Sequence, residues 1–569
     1  MVEIKNALFF PVINIITILT LISYKICDIN IHVIPHTHLD PGWLNTPEEY
    51  YENERIEGIF DTIMNNLDRN KDRTFVINEL FYFKKWYSNK SKEEKENFKK
   101  ILEEKRIEFV SGGFVVNDEA TPSYNDIMDQ VRIGHQFLLE EFNITPKTAW
   151  YIDSFGHSAG NAHIMAELNY ENLVLGRFHL DYLELLKVKK STEFFWEPFG
   201  KKILTHILPL HYGFNLYQPE LGLYNPEFKG NIKMNLKNLT LNLKESARGL
   251  HHNNIMYLYG DDFQYKDDNL FLNIEDLMNL IKTTEENNTM KIEFGLGNNE
   301  TINFFYSTPE KYFNSIKNEL KMNNKELALY KNIDFYPLRT DCFWTGYFTS
   351  RPYLKGYIRK ASTIYYSISK YHSMNKLIND NAYINDNITI SNLNELRNVV
   401  ALNQHHDAIT GTSKTYVSDD FIQKIQDNVN NVETNLKKNI EKEFNIKIGK
   451  ICYNNYIVNQ NNCINQFLIS KNSKNDKIKI GLLNPSFSIG INKVLINIEI
   501  LDSKLFYDVE GIKSDFFCVD EKNLNNIEYY NYDNKCFLNF FYEFKKGEDI
   551  GYIILKKLTK GKKKMIIIF

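Results

Sequence analysis

The stretch IHVIPHTHLDPGW occupies residues 31–43. Its first five residues form a short apolar run of the kind that becomes a buried β-strand. His36, His38 and Asp40 follow at alternate positions, and side chains two residues apart on an extended segment point the same way. His38 and Asp40 can therefore reach one cation, with His36 as a third ligand or a supporting partner. Imidazole and carboxylate groups suit zinc and similar divalent ions, although polar loop residues would give the same pattern.

Similar short apolar runs recur along the chain up to about residue 265. Segments with helical spacing separate them, such as the one that starts at Ser123 and places Ile127, Val131 and Leu138 on one face. Strands that alternate with helices predict an α/β domain with a largely parallel, barrel-like sheet. The later runs are 75–78, 108–110, 149–152, 173–175, 203–208 and 255–258.

Polar residues stand at or soon after the ends of these runs. Ligands of parallel α/β sheets bind at the carboxyl ends of the strands, so we expect one site at that edge to gather this chemistry. The residues concerned are Asn78, Glu79, Asn117, Asp118, Glu119, Asp153, Arg177, Asp261 and Asp262.

Carboxylates at two of these positions indicate catalysis. Asp153 directly follows an apolar run, where an ionised group is costly unless it is paired or binds a metal. Asp261 and Asp262 are adjacent, and repulsion with an apolar flank raises the pKa of at least one of them, as a general acid requires. A solvated acidic turn is the alternative for this pair. Two carboxylates from different strands fit glycoside hydrolysis, with one as nucleophile or base and the other as acid.

Aromatic residues and a histidine pair complete the candidate site. Trp43, Phe155 and Tyr212 could form apolar walls on which sugar rings stack. His405 and His406 end a segment with helical spacing and precede a tight glycine turn. They could supply a metal ligand from a distant part of the chain.

Changes in the pattern of apolar and polar residues along the chain predict the domain organisation. Residues 1–28 are expected to be a signal peptide or a single signal anchor, because 7–24 is almost wholly apolar; a buried strand or helix is the alternative. We expect 29–310 to form the α/β domain and 311–445 a helical bundle that carries a metal ligand. Residues 446–569 alternate as β-strands do and are expected to begin a further, β-rich domain that is cut short.

The composition is that of a folded protein without a nucleic-acid partner. Hydrophobic residues make up 43%, and 68 basic against 72 acidic residues give a net charge of −4. Phosphate binding needs clustered positive charge, which this balance does not favour. Cys452 and Cys463 are close enough in sequence to bridge a small loop in an oxidising compartment.

Six motifs occur in the order and approximate spacing seen in family 38 glycoside hydrolases, the class II α-mannosidases of lysosomal and Golgi type. They are HTHLDPGW (36–43), FVSGGFVVNDEAT (109–121), AWYIDSFGHS (149–158), GDDF (260–263), WTGYFTSRP (344–352) and QHHDAITGT (404–412). The chain resembles this family over roughly residues 30 to 500. Coincidence does not explain six independent motifs in one order.

The resemblance implies a retaining, zinc-dependent α-mannosidase with one zinc ion per chain. In this reading Asp153 is the nucleophile that forms a covalent mannosyl-enzyme. Asp262 is the general acid and base, with Asp261 beside it. The zinc ligands implied are His38, Asp40, Asp153 and His406.

The resemblance also implies how substrate is held. Trp43 and Phe155 would pack against the mannose ring, and Arg177 and Asp407 would hydrogen-bond to the sugar or to the nucleophile. Tyr212 lies in a segment similar to a substrate-binding tyrosine segment. The substrates implied are mannose-containing oligosaccharides or N-glycans, in the lumen of the secretory pathway, the lysosome or vacuole, or the Golgi. The N-terminal segment would then be a leader or a membrane anchor.

The chain departs from the family pattern in three ways. Ser154 stands where the family usually has proline, which should loosen that turn. Gly213 stands where Golgi-type members carry an acid, which removes their specific substrate contact. Family members are also commonly much longer, and their C-terminal β domains complete the wall of the active site.

Two other functions remain open from the residues alone. A zinc-dependent amidohydrolase or deacetylase also has a His-x-His pair after its first strand, but it needs further His or Lys ligands where this chain supplies Asp153, Asp261 and Asp262. A mannose-binding protein without turnover would fit the short chain, although competent residues fill every expected catalytic position. The sequence does not distinguish lysosomal-type from Golgi-type specificity.

Overall fold

The computed structural model describes residues 28–209, 211–213, 232–297, 300–336, 338–339, 342–378 and 387–444, and six strands between 477 and 557. Its strands are β1 (Ile29–Pro35), β2 (Phe75–Ile77), β3 (Ile107–Phe109), β4 (Thr148–Tyr151), β5 (Asn172–Leu175), β6 (Glu193–Glu197), β7 (Ile203–Ile207), β8 (Asn254–Tyr259), β9 (Ile302–Tyr306), β10 (Ala328–Lys331), β11 (Leu338–Arg339), β12 (Cys342–Phe343), β13 (Lys477–Leu483), β14 (Lys493–Ile500), β15 (Tyr507–Val509), β16 (Ser514–Cys518), β17 (Cys536–Glu543) and β18 (Ile550–Lys557). Its helices are α1 (Pro47–Asn53), α2 (Ile56–Arg69), α3 (Leu80–Ser88), α4 (Lys92–Glu103), α5 (Tyr124–Phe142), α6 (Ala159–Glu167), α7 (Leu180–Val188), α8 (Ile232–Ala247), α9 (Asn269–Lys282), α10 (Thr284–Phe294), α11 (Pro309–Met322), α12 (Pro352–Ile378), α13 (Asn387–Leu402) and α14 (Thr415–Phe444).

The described residues form two compact units. The first contains those up to Arg351 together with Ala401–Asp420, and the second contains Pro352–Val400 and those from Phe421 onward. These divisions differ from the boundaries expected at 310 and 445, which stay a prediction.

Parallel strands dominate the first unit, so the predicted α/β class is confirmed. β1 lies between β8 and β9, and both pair with it in parallel. β2 pairs with β3 in parallel, and a bridge from His36 to Val76 links this pair to the end of β1. The amide of Ser111 donates to the Thr148 carbonyl oxygen at 2.8 Å, which brings the end of β3 to β4. The chemistry-bearing loops that follow these strands therefore lie at one edge.

A second sheet in the same unit has the order β10-β6-β7-β5-β4. Its pairs are parallel except β6 with β7, which is antiparallel. All seven apolar runs became strands: β1 to β5, β7 and β8. The strands β6, β9 and β10 were not predicted.

Burial explains why β1 and α5 form as expected. Ile31, Val33 and Ile34 have no exposed surface, as befits a parallel strand covered on both faces. In α5, the Ser123 hydroxyl accepts from the Asp126 amide and caps the helix. Its face buries Ile127 among others, and each such side chain contributes roughly 1.5–3 kcal/mol.

The second unit contains α12, most of α13 and α14, and the strands from β13 onward. These strands form two antiparallel sheets, β13-β18-β15 and β14-β17-β16. A helical region followed by a β-rich one was expected, and the described backbone has both. The predicted leader at 7–24 and the Cys452–Cys463 pair lie outside the described residues. Among the helices that the structure describes, none combines the length and the apolar character needed to span a bilayer.

Candidate active site

The pairing of β1 with β8 continues beyond both strands and joins two predicted motifs. His38 and Asp262 form a parallel bridge, in which the Phe263 amide donates to the His38 carbonyl oxygen at 3.0 Å. Gly260 permits this close approach, because a Cβ there would lie 1.8 Å from the carbonyl oxygen of His36. The first histidine motif and the acidic pair are therefore held side by side by backbone hydrogen bonds.

The loop after β3 holds the distant histidine motif. Asn117 and His405 form an antiparallel bridge, the Asp118 amide donates to the Gln404 carbonyl oxygen at 3.0 Å, and the His406 amide donates to the Val116 carbonyl oxygen at 3.1 Å. These contacts bring residues from the far end of the unit to the strand edge.

Four of the predicted ligands form one buried cluster. His38 Nε2 lies 2.7 Å from Asp40 Oδ1 and 3.6 Å from Asp153 Oδ2. His406 Nε2 lies 3.1 Å from Asp40 Oδ1 and 3.2 Å from Asp153 Oδ2. One donor atom from each of the four lies within 4.8 Å of the others. A second group of Asp40, His405, His406 and Asp407 overlaps it.

The donor atoms of this cluster fit a divalent metal ion. His38 Nε2, His406 Nε2 and Asp40 Oδ1 are buried close together, but none of their contacts has the geometry of a hydrogen bond. His406 Nδ1 lies 2.9 Å from the Val116 carbonyl oxygen, so Nδ1–H donates there and Nε2 is the ring nitrogen that faces the carboxylates. Two imidazoles and two carboxylates are a ligand set that zinc and similar ions accept.

His36 is not part of this cluster, so its expected role as a third ligand is not supported. Its ring packs 6.2 Å from Trp150 and 6.4 Å from Tyr212, measured between ring centroids. Burial, with repulsion from His38, lowers the pKa of His36 to about 3. The ring is therefore neutral and packs beside Trp150 and Tyr212.

Asp153 and Asp262 have opposite ionisation preferences. Burial disfavours the Asp153 carboxylate, but Arg177, His406 and His38 outweigh it and lower its pKa below the ordinary value. Burial raises the pKa of Asp262 to about 7, although His38 opposes the shift. At a pH near 7 Asp153 is thus ionised, whereas Asp262 can still carry a proton.

Arg177 and Tyr212 each contact one of these acids. Arg177 Nε donates to the Asp153 carboxylate and, at 3.1 Å, to the Asp153 carbonyl oxygen. The Tyr212 hydroxyl donates to Asp262 Oδ1 at 2.9 Å. Arg177 Cζ also lies 5.7 Å from the ring centroid of Phe155 and 5.2 Å from that of Trp344.

The remaining predicted residues lie close by in different ways. Asp261 Oδ1 accepts from the Asp262 amide at 2.8 Å. Asp407 is buried, and its carboxylate accepts from the Thr412 hydroxyl. The Trp43 carbonyl oxygen accepts from the Lys414 amide at 2.9 Å. The sugar-binding roles of Asp261, Asp407 and Trp43 stay predictions.

Gly213, one of the departures from the family pattern, lies against the side chain of Asp261. A Cβ at this position would lie 2.5 Å from Asp261 Oδ1. A side chain at 213 would therefore require the Asp261 carboxylate to move.

Several contacts around the site were not predicted, although Glu79 and Glu119 were expected at this edge of the sheet. Glu79 Oε1 lies 3.3 Å from His38 Nδ1, and Trp344 packs edge-on against Phe155 at 6.0 Å. His157 and Glu119 form a buried pair at 2.7 Å. Each lies within or beside a quoted motif, yet no local pattern pairs residues so far apart in sequence.

Comparisons with known proteins agree with this geometry. Residues 28–333 match the model "Glycosyl hydrolases family 38 N-terminal domain", and residues 342–442 match "Alpha mannosidase middle domain". A probable α-mannosidase of Arabidopsis thaliana is 32% identical over 70% of this chain and 37% of its own length. A lysosomal α-mannosidase of Dictyostelium discoideum is 31% identical over 70% of this chain and 39% of its own. The chain thus spans about two fifths of the length of these relatives.

Solved structures show the same fold. An α-mannosidase from Enterococcus faecalis V583 superposes with a TM-score of 0.59 at 14% identity, over 95% of this chain and 57% of that one. A second Enterococcus faecalis protein, described as belonging to glycosyl hydrolase family 38, gives a TM-score of 0.54 at 13% identity, over 95% of this chain and 55% of that one. At this identity the likeness concerns the fold alone.

Proposed function

Because the chain belongs to glycoside hydrolase family 38, whose N-terminal domain model matches more than half of it, we propose that it is a retaining, zinc-dependent α-mannosidase. It removes terminal α-linked mannose from N-glycans or free oligosaccharides. The observation that carries the proposal is the pair of acids with opposite ionisation preferences, one of which shares a buried cluster with two histidines.

Asp153 is the nucleophile in this mechanism. Its carboxylate is ionised, and Arg177 holds it by hydrogen bonds to both the side chain and the backbone carbonyl. A carboxylate oxygen attacks the anomeric carbon and forms a glycosyl ester as the bond to the leaving oxygen breaks. Arg177 orients the attacking carboxylate and lowers its basicity.

Asp262 moves the proton in both steps. Its protonated carboxyl group donates to the leaving oxygen as the ester forms. The resulting carboxylate then takes a proton from the water that attacks the ester, which restores the starting state. The product keeps the configuration of the substrate, because two inversions occur at the same carbon. The hydrogen bond from Tyr212 orients this carboxyl group.

His38, Asp40, Asp153 and His406 would hold the metal ion. When bound, the ion supplies Lewis-acid polarisation and a fixed point that orients hydroxyl groups of the sugar. Phe155 and Trp344 offer aromatic faces and edges beside Arg177 for the apolar side of the ring. Trp43, Asp261 and Asp407 complete the set proposed to contact substrate.

The proposed setting is the secretory pathway, ending in a lysosome, vacuole or Golgi compartment. Lysosomal α-mannosidases among the relatives support it, as does the apolar segment 7–24, read as a signal peptide or anchor. Asp153 within the ligand cluster, together with Asp262 beside it, favours a glycoside hydrolase over an amidohydrolase.

Release of a chromogenic aglycone from an α-mannoside by the 569-residue chain tests the proposal. We expect turnover that a strong chelator abolishes and zinc restores, with the matching β-mannoside inert. The Asp153→Asn variant, which is nearly isosteric, should lose turnover by at least about a thousandfold. A folded, zinc-loaded protein without turnover would favour a mannose-binding protein instead.

A further inference from the structure

Three chain segments meet at a fully buried histidine four residues after Asp153. His157 Nδ1 lies 2.7 Å from Glu119 Oε1, and His157 Nε2 lies 2.7 Å from the Gly176 carbonyl oxygen. Glu119 follows β3, His157 follows β4, and Gly176 follows β5. The imidazole ring therefore ties together the loops after three neighbouring strands.

The hydrogen-bond chemistry fixes where the protons are. A carbonyl oxygen only accepts, so His157 Nε2 carries a hydrogen and donates to Gly176. Glu119 Oε2 accepts from the Ser158 amide at 2.9 Å, which leaves Oε1 to share one proton with His157 Nδ1. Removing either partner leaves the other buried with an unsatisfied polar atom, which is costly.

The Gly176 carbonyl and the Arg177 amide form one peptide group, so fixing that carbonyl also fixes the backbone at Arg177. A Cβ on Gly176 would lie 1.9 Å from the Ile152 carbonyl oxygen, so the backbone passes too close for any other residue. Arg177 has φ = 30°, in the left-handed region that side chains with a Cβ rarely adopt. This conformation persists only if surrounding contacts hold the peptide plane.

We propose that His157 and Glu119 are a positioning pair: by holding the Gly176 carbonyl group, they keep Arg177 in the backbone conformation that aims its guanidinium at Asp153. The inference rests on the proposed function, because Asp153 is there the nucleophile. No described hydrogen bond or ion pair joins either side chain to a residue of the metal cluster; both act through the Gly176–Arg177 peptide.

Three variants separate positioning from simple loss of packing. His157→Phe and Glu119→Ala break the connection, and each should lower kcat on the order of 100-fold, since small misplacements of a catalytic group have that effect. Glu119→Gln should keep most of the activity, because its amide can accept from Ser158 and donate to a neutral His157. If Glu119→Gln is as poor as Glu119→Ala, or if Glu119→Ala retains full kcat, the proposal is overturned.

Asp334→Ala is the matched control. Asp334 Oδ1 accepts from the Ala159 amide at 2.7 Å and so caps the same end of α6 that Glu119 caps through Ser158. It has no described contact with Gly176. We expect Asp334→Ala to lower the melting midpoint slightly and to leave kcat unchanged. If it lowers kcat as much as Glu119→Ala does, loss of the helix cap explains the effect and the positioning role fails.

A double-mutant cycle tests whether the pair acts through Arg177. In an Arg177→Met background, Glu119→Ala should cost less than about threefold further, because the group that it positions is already gone. Independent, multiplicative losses would contradict the proposal.

Crystal structures of the wild-type chain and of Glu119→Ala give a readout that needs no turnover. The wild type should show the Arg177–Asp153 hydrogen bonds, and the variant should show Arg177 released from Asp153. A variant in which these bonds persist overturns the positioning role, even if the wild type is inactive. An inactive wild type with the expected structural change would instead contradict only the proposed function. If His157→Phe does not fold, the Glu119 variants carry the test.

Discussion

The Tyr212 hydroxyl donates a hydrogen bond of 2.9 Å to Oδ1 of Asp262. This bond favours the ionised form of Asp262, whereas burial disfavours it and raises the pKa to about 7. The tyrosine thus limits how far burial raises the pKa of the proposed general acid.

Replacing Tyr212 by Phe should move the alkaline limb of the activity profile to higher pH. The protonated form of Asp262 is the active one, so kcat/KM falls as pH rises through its pKa. Loss of the stabilising hydrogen bond raises that pKa further, by up to about one unit. The pH dependence of kcat/KM for wild type and Tyr212→Phe measures the shift. A limb that moves to lower pH would contradict the assignment of Asp262.

Metal removal should destabilise the protein as well as inactivate it. A cation in the cluster would bind the folded state only, since its four ligands come from distant parts of the chain. A ligand present at 100 times its Kd stabilises the folded state by about 2.7 kcal/mol. We expect a chelator to lower the melting midpoint and zinc to restore it. The His406→Ala variant should have a lower melting midpoint than wild type before any treatment, and chelator and zinc should change it only slightly. If they change it as much as in wild type, His406 is not a metal ligand.

Gly260→Ala should destabilise the first unit by about 3 kcal/mol or more, because its Cβ would collide with the His36 backbone. Gly58→Ala is the matched control. It lies in α2, where the nearest atom to an added Cβ is 3.8 Å away, so alanine should stabilise by roughly 0.5–1 kcal/mol. Urea unfolding of both variants checks the contrast. Similar midpoints for both would mean that β1 and β8 do not approach each other as described.

Glu108 should make the protein less stable as pH rises. Burial raises its pKa to about 7 from an ordinary 4.5, against a hydrogen bond from the Glu310 amide. The folded state therefore binds more protons between these values, and the associated stability is present below pH 4.5 and lost as pH rises through 7. At pH 8, Glu108→Gln should have a higher free energy of unfolding than wild type, by up to about 3 kcal/mol. The difference should be smaller near pH 5. The exposed Glu103→Gln is the control; a Glu108→Gln effect that is larger at acid pH would reverse the argument.

Local patterns sufficed to predict the parts of the fold that depend on local physics. The apolar run before His36 and the Ser123 cap predicted β1 and the start of α5 because burial and capping act on neighbouring residues. The short β6 was missed, since a five-residue run with glutamate at each end has no clear strand period. Its buried Glu193 is satisfied by His206 at 2.9 Å and by the Tyr312 hydroxyl at 2.6 Å, which sequence spacing does not reveal.

In the candidate site, too, local patterns predicted some residues, whereas others depend on contacts between distant parts of the chain. Asp153 and the Asp261–Asp262 pair were identified from their own flanks, the resemblance singled out Asp262, and the structure brings Asp153 and Asp262 to the strand edge. The residues alone offered His405 or His406 as a distant metal ligand, and only the family resemblance chose His406, because backbone bonds to the loop after β3 place it. The His157–Glu119 pair had no sequence signal, since its function depends on a contact between two loops.

Covalent trapping tests the central claim most directly. A fluorinated α-mannosyl fluoride that forms the glycosyl ester quickly and hydrolyses slowly should accumulate the intermediate. We predict a mass increase of one fluoromannosyl group, found on the peptide that contains Asp153 and absent from Asp153→Asn. Turnover without any label at Asp153, or with a product of inverted configuration, would contradict the mechanism.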